Sequence, residues 1–591
     1  MEGIIDLFKN GEGVFTALSA YDAVLRIVLP VLALLIVIRC ARSLLGFRKE
    51  PEVWAWLRLE SGELLPVTHW ENVIGRKKTA DIVVDFATVS KNHAVLSRTE
   101  DGGWLIRDIG ARGRVQVNGE RMECSEITYG DILSLGGLEM TLEPVSEEEK
   151  QVQAQTRTKA GKDHSPGLTL VLLTLLQLLT ALALFLHIEA EEYSSVLIGF
   201  GALIVLEWLL FIGQKLIKRS GFELETVAFF LCSLGMAVVI SKYPSTVNKV
   251  VLTLAAGILL FLTVGWSLRD LERAKKFRYV AAVGGILLLL VNLALGTVKN
   301  GAQNWIYIGG FSFQPSELVK VCFVFVGAST LDRLVTKRNL FSFIAYSAFI
   351  CICLALMSDF GTALVFFVTF LAIANMRSGS FASITLLCSV LLAVAAALLL
   401  ALMLDRVFNI SFFIDKVNYI FNRFSTWGHI WEGDNPTDLG FQQTRSLMCI
   451  ASGGLFGLGA GNGWLKYVAA SETDLVFAFI CEEFGLIMGI AMIFALSVPV
   501  LFAVRASEMG RSSFYTISAC AAVIILTTQT ILNVFGTVDF LPLTGVTFPF
   551  VSDGGSSMIC CWGLLAFVKA SDTRQNASFA VTLSGRKGAA V

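Results

Sequence analysis

The segment 301–320, GAQNWIYIGGFSFQPSELVK, gathers Asn304, Trp305, Gln314, Ser316, Glu317 and Lys320 between two long apolar blocks. Ionisable side chains are costly in a bilayer, and where they enter a membrane segment they mark substrate or ion sites. Pro315 can open a helix there, because its missing N–H would have no partner in a first turn anyway. Glu317 then falls in that turn, where the helix dipole favours an anion. Lys320 follows three residues later, on roughly the same face. A carboxylate and an ammonium at a membrane surface suit the binding of a charged head group; an interfacial anchor is the plainer alternative.

Membrane helices must position those residues. The 591 residues are 55% hydrophobic and 16% charged, with mean hydropathy +0.68, which is the composition of a polytopic membrane protein. A formal net charge of −1 argues against a nucleic-acid partner. Apolar blocks of near-spanning length run at about 23–43, 167–188, 195–217, 224–241, 249–268, 278–298, 316–331, 341–357, 361–376, 382–404, 474–504, 512–535 and 556–570, predicting thirteen spans. With that count the basic loops at 39–49, 215–219, 269–278, 333–338, 377 and 505–511 all fall on one side, which the positive-inside rule makes cytoplasmic. The loops 299–315, 405–473 and 536–555 are then outer, and the polar tail 571–591 is cytoplasmic. The first block is followed by Arg39, Arg42, Arg48 and Lys49 without a small-residue cleavage site, so it reads as a signal anchor. Most of the 12 cysteines lie in apolar runs and act as small hydrophobes. No CxxC pair or Cys/His cluster suggests a metal site.

Residues 50–145 read differently. VWAWLRL, ADIVVDF, HAVLSRT, GWLIRDI and DILSLGGLEMTLEP are short strand-like runs separated by turn residues, which predicts a small all-β sandwich. Within it stand Gly75-Arg76, then Ser90-Lys91-Asn92-His93, then Val117-Asn118-Gly119. This order and spacing resembles the forkhead-associated (FHA) domain. The resemblance implies that Arg76 and Ser90 bind a phosphothreonine phosphate, that His93 is structural and that Asn118-Gly119 makes a hairpin turn. A guanidinium and a hydroxyl suit a phosphate dianion. The family's Asn in its Gly-Ser-x-Asn-Gly loop is Gly113 here, within Gly110-Ala111-Arg112-Gly113-Arg114. A scaffold without phosphate binding is the alternative.

The opening segment has companions: SDFGT at 358–362, GFQQTRSL at 440–447, SGGLFG at 452–457, Thr473-Asp474, Glu482-Glu483, Gln529 with Asn533, LPLTGVTFP at 541–549 and SDGGSS at 552–557. Together these resemble the SEDS (shape, elongation, division and sporulation) family over about 224–570. The resemblance implies a ten-helix membrane core that polymerises lipid II into peptidoglycan at the outer membrane face, with a class B penicillin-binding protein as partner. Such chemistry needs a base for the acceptor hydroxyl and cations for the pyrophosphate leaving group. The family's essential aspartate lies in the large outer loop. Here that loop reads Trp431-Glu432-Gly433-Asp434-Asn435-Pro436. Aligned from the left the aspartate becomes Gly433, and from the right Asn435. Asp434 lies between them and is the expected base, with Asp438 second. A third alignment outcome is lost catalysis. Expected substrate-binding residues are Lys320, Glu317, Arg423, Arg445, Lys466 and Asp474. The family's Glu and His before the next span are Ala470 and Glu472 here, and its Tyr in Ser-Tyr-Gly-Gly-Ser is Asp553.

The expected fold is therefore a polytopic α-helical membrane protein of a bacterial plasma membrane. The expected divisions are an anchor at 1–49, a cytoplasmic FHA sandwich at 50–145, a polar linker at 146–166, two extra spans at 167–223, the SEDS core at 224–570 and a tail at 571–591. The expected partners are lipid II, a class B penicillin-binding protein and a phosphothreonine-containing protein. Whether a divalent cation assists is open. A lipid-linked precursor flippase and a catalytically silent scaffold of a cell-wall complex are the competing readings.

Overall fold

The computed structural model describes residues 11–45, 53–69, 71–78, 80–98, 102–109, 114–158, 166–217, 221–269, 271–299, 302–308, 311–331, 337–378, 423–508 and 513–572. The expected span 382–404, residues 110–113 of the FHA loop and the tail beyond 572 lie outside them.

The β domain has two sheets. One runs in the order Leu64–Val67, Ala55–Leu59, Leu138–Pro144, Ile132–Leu135, Val115–Val117, Glu120–Arg121. The other runs Ile82–Val83, Glu71–Gly75, Ala94–Arg98, Trp104–Asp108, Cys124–Ile127. Alternation does the sorting: Leu138, Met140 and Leu142 point inward from one strand, and Leu57, Ile74, Leu96, Ile106, Leu133 and Trp104 complete the core, as period-2 patterning requires. Asn118 (φ 52°) and Gly119 (φ 86°) form the expected hairpin turn, since both central positions need positive φ. His93 is fully buried and its Nδ1 accepts the Ser90 N–H at 3.1 Å, the expected structural role; burial lowers its pKa.

The helices are α1 Gly11–Leu45, α2 Glu147–Thr158, α3 Pro166–Phe185, α4 Tyr193–Leu216, α5 Glu223–Lys242, α6 Val247–Ser267, α7 Leu271–Leu295, α8 Pro315–Leu331, α9 Lys337–Leu356, α10 Phe360–Ser378, α11 Phe441–Gly453, α12 Val476–Phe484, α13 Leu486–Ala495, α14 Ser497–Glu508, α15 Ser513–Thr537 and α16 Gly555–Ala570. Among the described residues eight helical stretches are long and apolar enough to cross a membrane, and shorter apolar helices occupy 341–356, 360–376 and 555–570. Helix α2 falls inside the stretch expected to be only a polar linker; three acidic residues in its first turn complement the dipole. The outer loop expected at 299–315 is a small antiparallel meander, Thr297–Lys299, Ala302–Ile308 and Phe311–Phe313.

Helix α5 is buried on nearly every side, with 94% of its membrane window enclosed, so it is a bundle centre and not a lipid-facing helix. Helix α16 packs on α6, α8 and α15, and α3 packs on α1, α4 and α5. The two extra spans join α5 through a buried polar network. Gln177 Nε2 donates to Glu207 Oε2 at 2.8 Å and to Ser233 Oγ at 3.1 Å, while Thr174 Oγ1 donates to Glu207 Oε1 at 3.0 Å. Lower on α5, Glu225 takes Lys569 at 3.1 Å and the Gln214 amide at 2.8 Å.

The block 474–504, expected as one span, is not continuous. It breaks at Gly485 (φ 89°), and the following span has a one-residue interruption of its helix at Leu496. At the first break the chain pairs sideways: Leu486 N–H donates to Gly454 O at 2.9 Å and Ile487 N–H to Leu455 O at 3.3 Å. A Cβ on Gly485 would lie 2.3 Å from Leu455 O. We therefore expect Gly485→Ala to lower the thermal midpoint in detergent sharply, from backbone strain and overlap together. Gly284→Ala, mid-helix with nothing within 4 Å of its Cβ, should be neutral or stabilising by up to about 1 kcal/mol. Equal midpoints for the two variants would refute the account of the break.

Candidate functional site

On the β domain the chain crosses itself where phosphate binding was expected. Arg76 N–H donates to Ser90 O at 3.0 Å and Lys77 N–H to Lys91 O at 3.1 Å. That crossing explains Gly75, because a Cβ there would sit 2.3 Å from Lys91 O. Arg76 is exposed and Ser90 is partly so; the structure brings this expected pair together on one rim.

In the membrane domain the organising group is Glu482-Glu483 on α12, both buried. Glu482 accepts the N–H groups of Trp464 (2.9 Å) and Leu465 (2.8 Å). Glu483 accepts from Gly461 N (2.9 Å), Gly463 N (3.4 Å) and Ser241 Oγ (3.0 Å). The glycine-rich loop after α11 is thereby wrapped onto two carboxylates, which are satisfied by backbone donors as buried anions must be. The loop presents Lys466, whose Nζ donates to Gly461 O at 2.8 Å, and Trp464. The Arg445 guanidinium lies 5.1 Å from the Phe441 ring centre and 5.9 Å from that of Trp464. Arg445 and Lys466 are thus neighbours of one loop, both half-buried.

A second cluster adjoins the end of α5. Lys242 Nζ donates to Glu472 Oε2 (2.5 Å), Ser471 Oγ (2.8 Å) and Val468 O (2.8 Å). Asp553 N–H donates to Glu472 O at 2.9 Å, and Asp553 lines a narrow groove with Gly235, Met236, Thr253, Leu254 and Met558. Its carboxyl is pushed up to about 6, by burial first and by Glu472 second, against the pull of Lys249. Sequence reasoning did not single out Lys242; a lysine ending an apolar helix reads as a snorkelling anchor, and only Glu472 standing in place of the family histidine hinted at a partner.

The other expected residues are spread out. Lys320 and Glu317 bond each other at 2.6 Å, at 1% and 4% exposure. Above them Asp359 Oδ2 accepts Asn304 Nδ2 (3.1 Å) and Gln314 Nε2 (3.2 Å), while its Oδ1 caps α10 at Thr362 N (3.2 Å), so the meander is tied to α8 and α10. Arg423 donates to the Leu543 carbonyl. The Asp474 carbonyl accepts Asn533 Nδ2 (3.0 Å) and Thr537 Oγ1 (3.2 Å). Asp434 is exposed on a turn whose carbonyl accepts the N–H groups of Thr437 and Asp438, each at 3.1 Å. That segment is docked on the loop after α15: Trp427 Nε1 donates to Phe540 O at 3.2 Å, and Gln443 Nε2 to Asp539 Oδ1 at 3.3 Å.

The family model described as "Cell cycle protein", covering FtsW, RodA and SpoVE, matches residues 224–576. The chain belongs to the SEDS family. An FHA domain model matches 72–136. Among SEDS relatives, stage V sporulation protein E of Bacillus subtilis is 29% identical over 287 residues, 46% of this chain and 72% of that one. Peptidoglycan glycosyltransferase RodA of Mycobacterium tuberculosis is 29% identical over 349 residues, 55% of this chain and 70% of that one. A probable peptidoglycan glycosyltransferase FtsW of Saccharophagus degradans is 31% identical over 381 residues, 59% of this chain and 92% of that one. In this SEDS chain the family match begins at α5, so α1, α3 and α4 stand outside it.

The raised Asp553 pKa gives a signed prediction. A carboxyl whose folded pKa exceeds its unfolded value of 3.8 favours the fold below 3.8 and loses that contribution as pH rises through about 6. Asp553→Asn should therefore raise the thermal midpoint at about pH 7.5, and the gain should shrink towards zero near pH 4. A gain independent of pH would place its cause elsewhere.

Proposed function

We propose that this multi-pass membrane protein is a peptidoglycan glycosyltransferase that polymerises lipid II at the outer face of a bacterial plasma membrane. The observation that carries the reading is the family match over 224–576, which contains the docked turn with Asp434 and the carboxylate-held loop that carries Lys466 and whose Trp464 ring meets Arg445. Relatives of the same family carry the glycosyltransferase name. In this reading Asp434 takes the proton from the acceptor 4-hydroxyl. Arg445 and Lys466 stabilise the charge that develops on the departing pyrophosphate. Arg423 and Asp474 brace the loops around them, and the Lys320–Glu317 pair fixes α8 beneath the meander. The basic-loop pattern puts the FHA domain in the cytoplasm, where Arg76 and Ser90 take a phosphothreonine-bearing protein. A class B penicillin-binding protein is the partner that would cross-link the product.

The exposed position of Asp434 favours one competitor, the silent scaffold, because among the described residues no side chain fixes its carboxylate. A lipid II polymerisation assay with a class B partner decides between them. Asp434→Ala should fold and lose about 10²–10⁴-fold in rate, with Asp438→Ala losing less. Wild type inactive with every partner, while Asn435→Asp gains activity, would establish the scaffold.

For the FHA face, Arg76→Ala in the full chain should reduce phosphothreonine-peptide affinity at least about tenfold, since a charged hydrogen bond is worth about 1.5–3 kcal/mol. Fluorescence anisotropy against the matching unphosphorylated peptide reads this out. No phosphate-dependent binding by wild type across a broad peptide library would leave the domain a scaffold.

A further inference from the structure

The loop that carries Trp464 and Lys466 is gripped from two sides. The inner grip is Glu482-Glu483. The outer grip comes from outside the family core, from the N-terminal half of α1. Asp22, 8% exposed, pairs with Arg26 one turn on, and Arg26 Nη1 donates to Gly457 O at 3.4 Å. Gly459 lies directly under the pair: a Cβ there would be 3.1 Å from Asp22 Oδ1 and 3.2 Å from Arg26 Nη2. His187, just past α3, closes the third side with Nε2 4.0 Å from Asp22 Oδ1, and its own Cβ is 3.4 Å from the Cβ position of Gly461. The same loop donates back into the core through Leu458 N to Glu482 O (2.9 Å) and Gly459 N to Glu483 O (3.0 Å).

Resting on the polymerase reading above, we propose that Asp22 and Arg26 are positioning residues for the reaction: they fix the 457–466 loop, and through Trp464 and Lys466 they set where the two cations sit. Neither touches substrate. A guanidinium held by a carboxylate one turn away loses little freedom when it bonds a backbone carbonyl, so the loop gains a rigid outer wall. Glycine at 459 leaves room for that wall. The wall belongs to the helix that precedes the FHA domain in the chain. Asp22 and Leu45 are 23 residue steps apart, about 35 Å of α-helix, so the pair sits that far along α1 from the end that leads to the FHA domain.

The test is hydrogen exchange on the full-length protein in nanodiscs, together with lipid II polymerisation kinetics. Arg26→Ala should speed amide exchange across 457–466, leave exchange across 513–537 unchanged, and lower kcat at least about tenfold with KM within about twofold, since cation placement matters most where charge develops. Asp22→Asn should do the same more weakly, and Arg26→Lys, which keeps the ion pair, should recover most of both signals. Unchanged exchange in 457–466 for both Arg26→Ala and Asp22→Asn overturns the proposal whether or not the chain polymerises lipid II. So does a kcat loss in Arg26→Ala that is matched by a lower folded fraction and absent per folded molecule. An inactive wild type whose loop exchange still responds would sink the polymerase reading and keep the positioning role for the loop.

Discussion

Two adjacent carboxylates buried among apolar helices would be prohibitive if left bare, since taking each ion from water costs several kcal/mol even after relaxation. Glu482 and Glu483 are instead met by the backbone N–H groups of Gly461, Gly463, Trp464 and Leu465 and by the Ser241 hydroxyl. That requirement dictates much around them. The loop must be rich in glycine to bring four amides onto one short helix. The helix must end at once, at Gly485, so that the chain can pair with Gly454 and Leu455. Trp464, held by its own amide, then offers a ring to Arg445. The cations of the proposed site owe their places to carboxyl groups bound to the backbone of the loop.

The strong periodic signals were legible in the sequence. The β domain, its Asn118-Gly119 turn, the buried role of His93 and most apolar helices all appear where expected, because turn chemistry and apolar length are local properties. Glu482-Glu483 was visible as a pair, but its purpose was not: an acceptor's partners were backbone amides some twenty residues upstream, which leave no mark on side-chain type. The helix break at Gly485 was missed for the same reason. A single glycine in an apolar run reads as tolerated, and only the sideways pairing makes it a terminus. The helix α2 was hidden by polar composition, which suits a solvated helix as well as a linker. The Lys320–Glu317 spacing does put both on one face, yet the pair is mutually satisfied and buried, so charge at a membrane surface alone overstates its openness to a ligand.

The added spans are bound to the core by polar contacts as well as by fat. Lipid gives apolar helices no hydrophobic reason to associate, so packing and interhelical hydrogen bonds must do it. Glu207, Gln177 and Ser233 supply this between α3, α4 and α5, and Ser43 Oγ donates to Glu223 at 2.7 Å to pin the far end of α1. The FHA domain therefore hangs from helices that are part of the bundle.

That suspension is double. The chain has 10 residue steps from Leu45 at the end of α1 to Ala55 of the first strand and 8 from Thr158 of α2 to Pro166 of α3, reaches of at most about 35 Å and 28 Å. Helices α1 and α3 pack on each other, so both leashes start from neighbouring points. A protein held on the Arg76 rim would be confined to a shell a few nanometres deep at the bilayer surface. There its encounters with other membrane-bound proteins become effectively intramolecular, at about millimolar local concentration. Weak pairwise affinities that would be silent in free solution become sufficient in that shell.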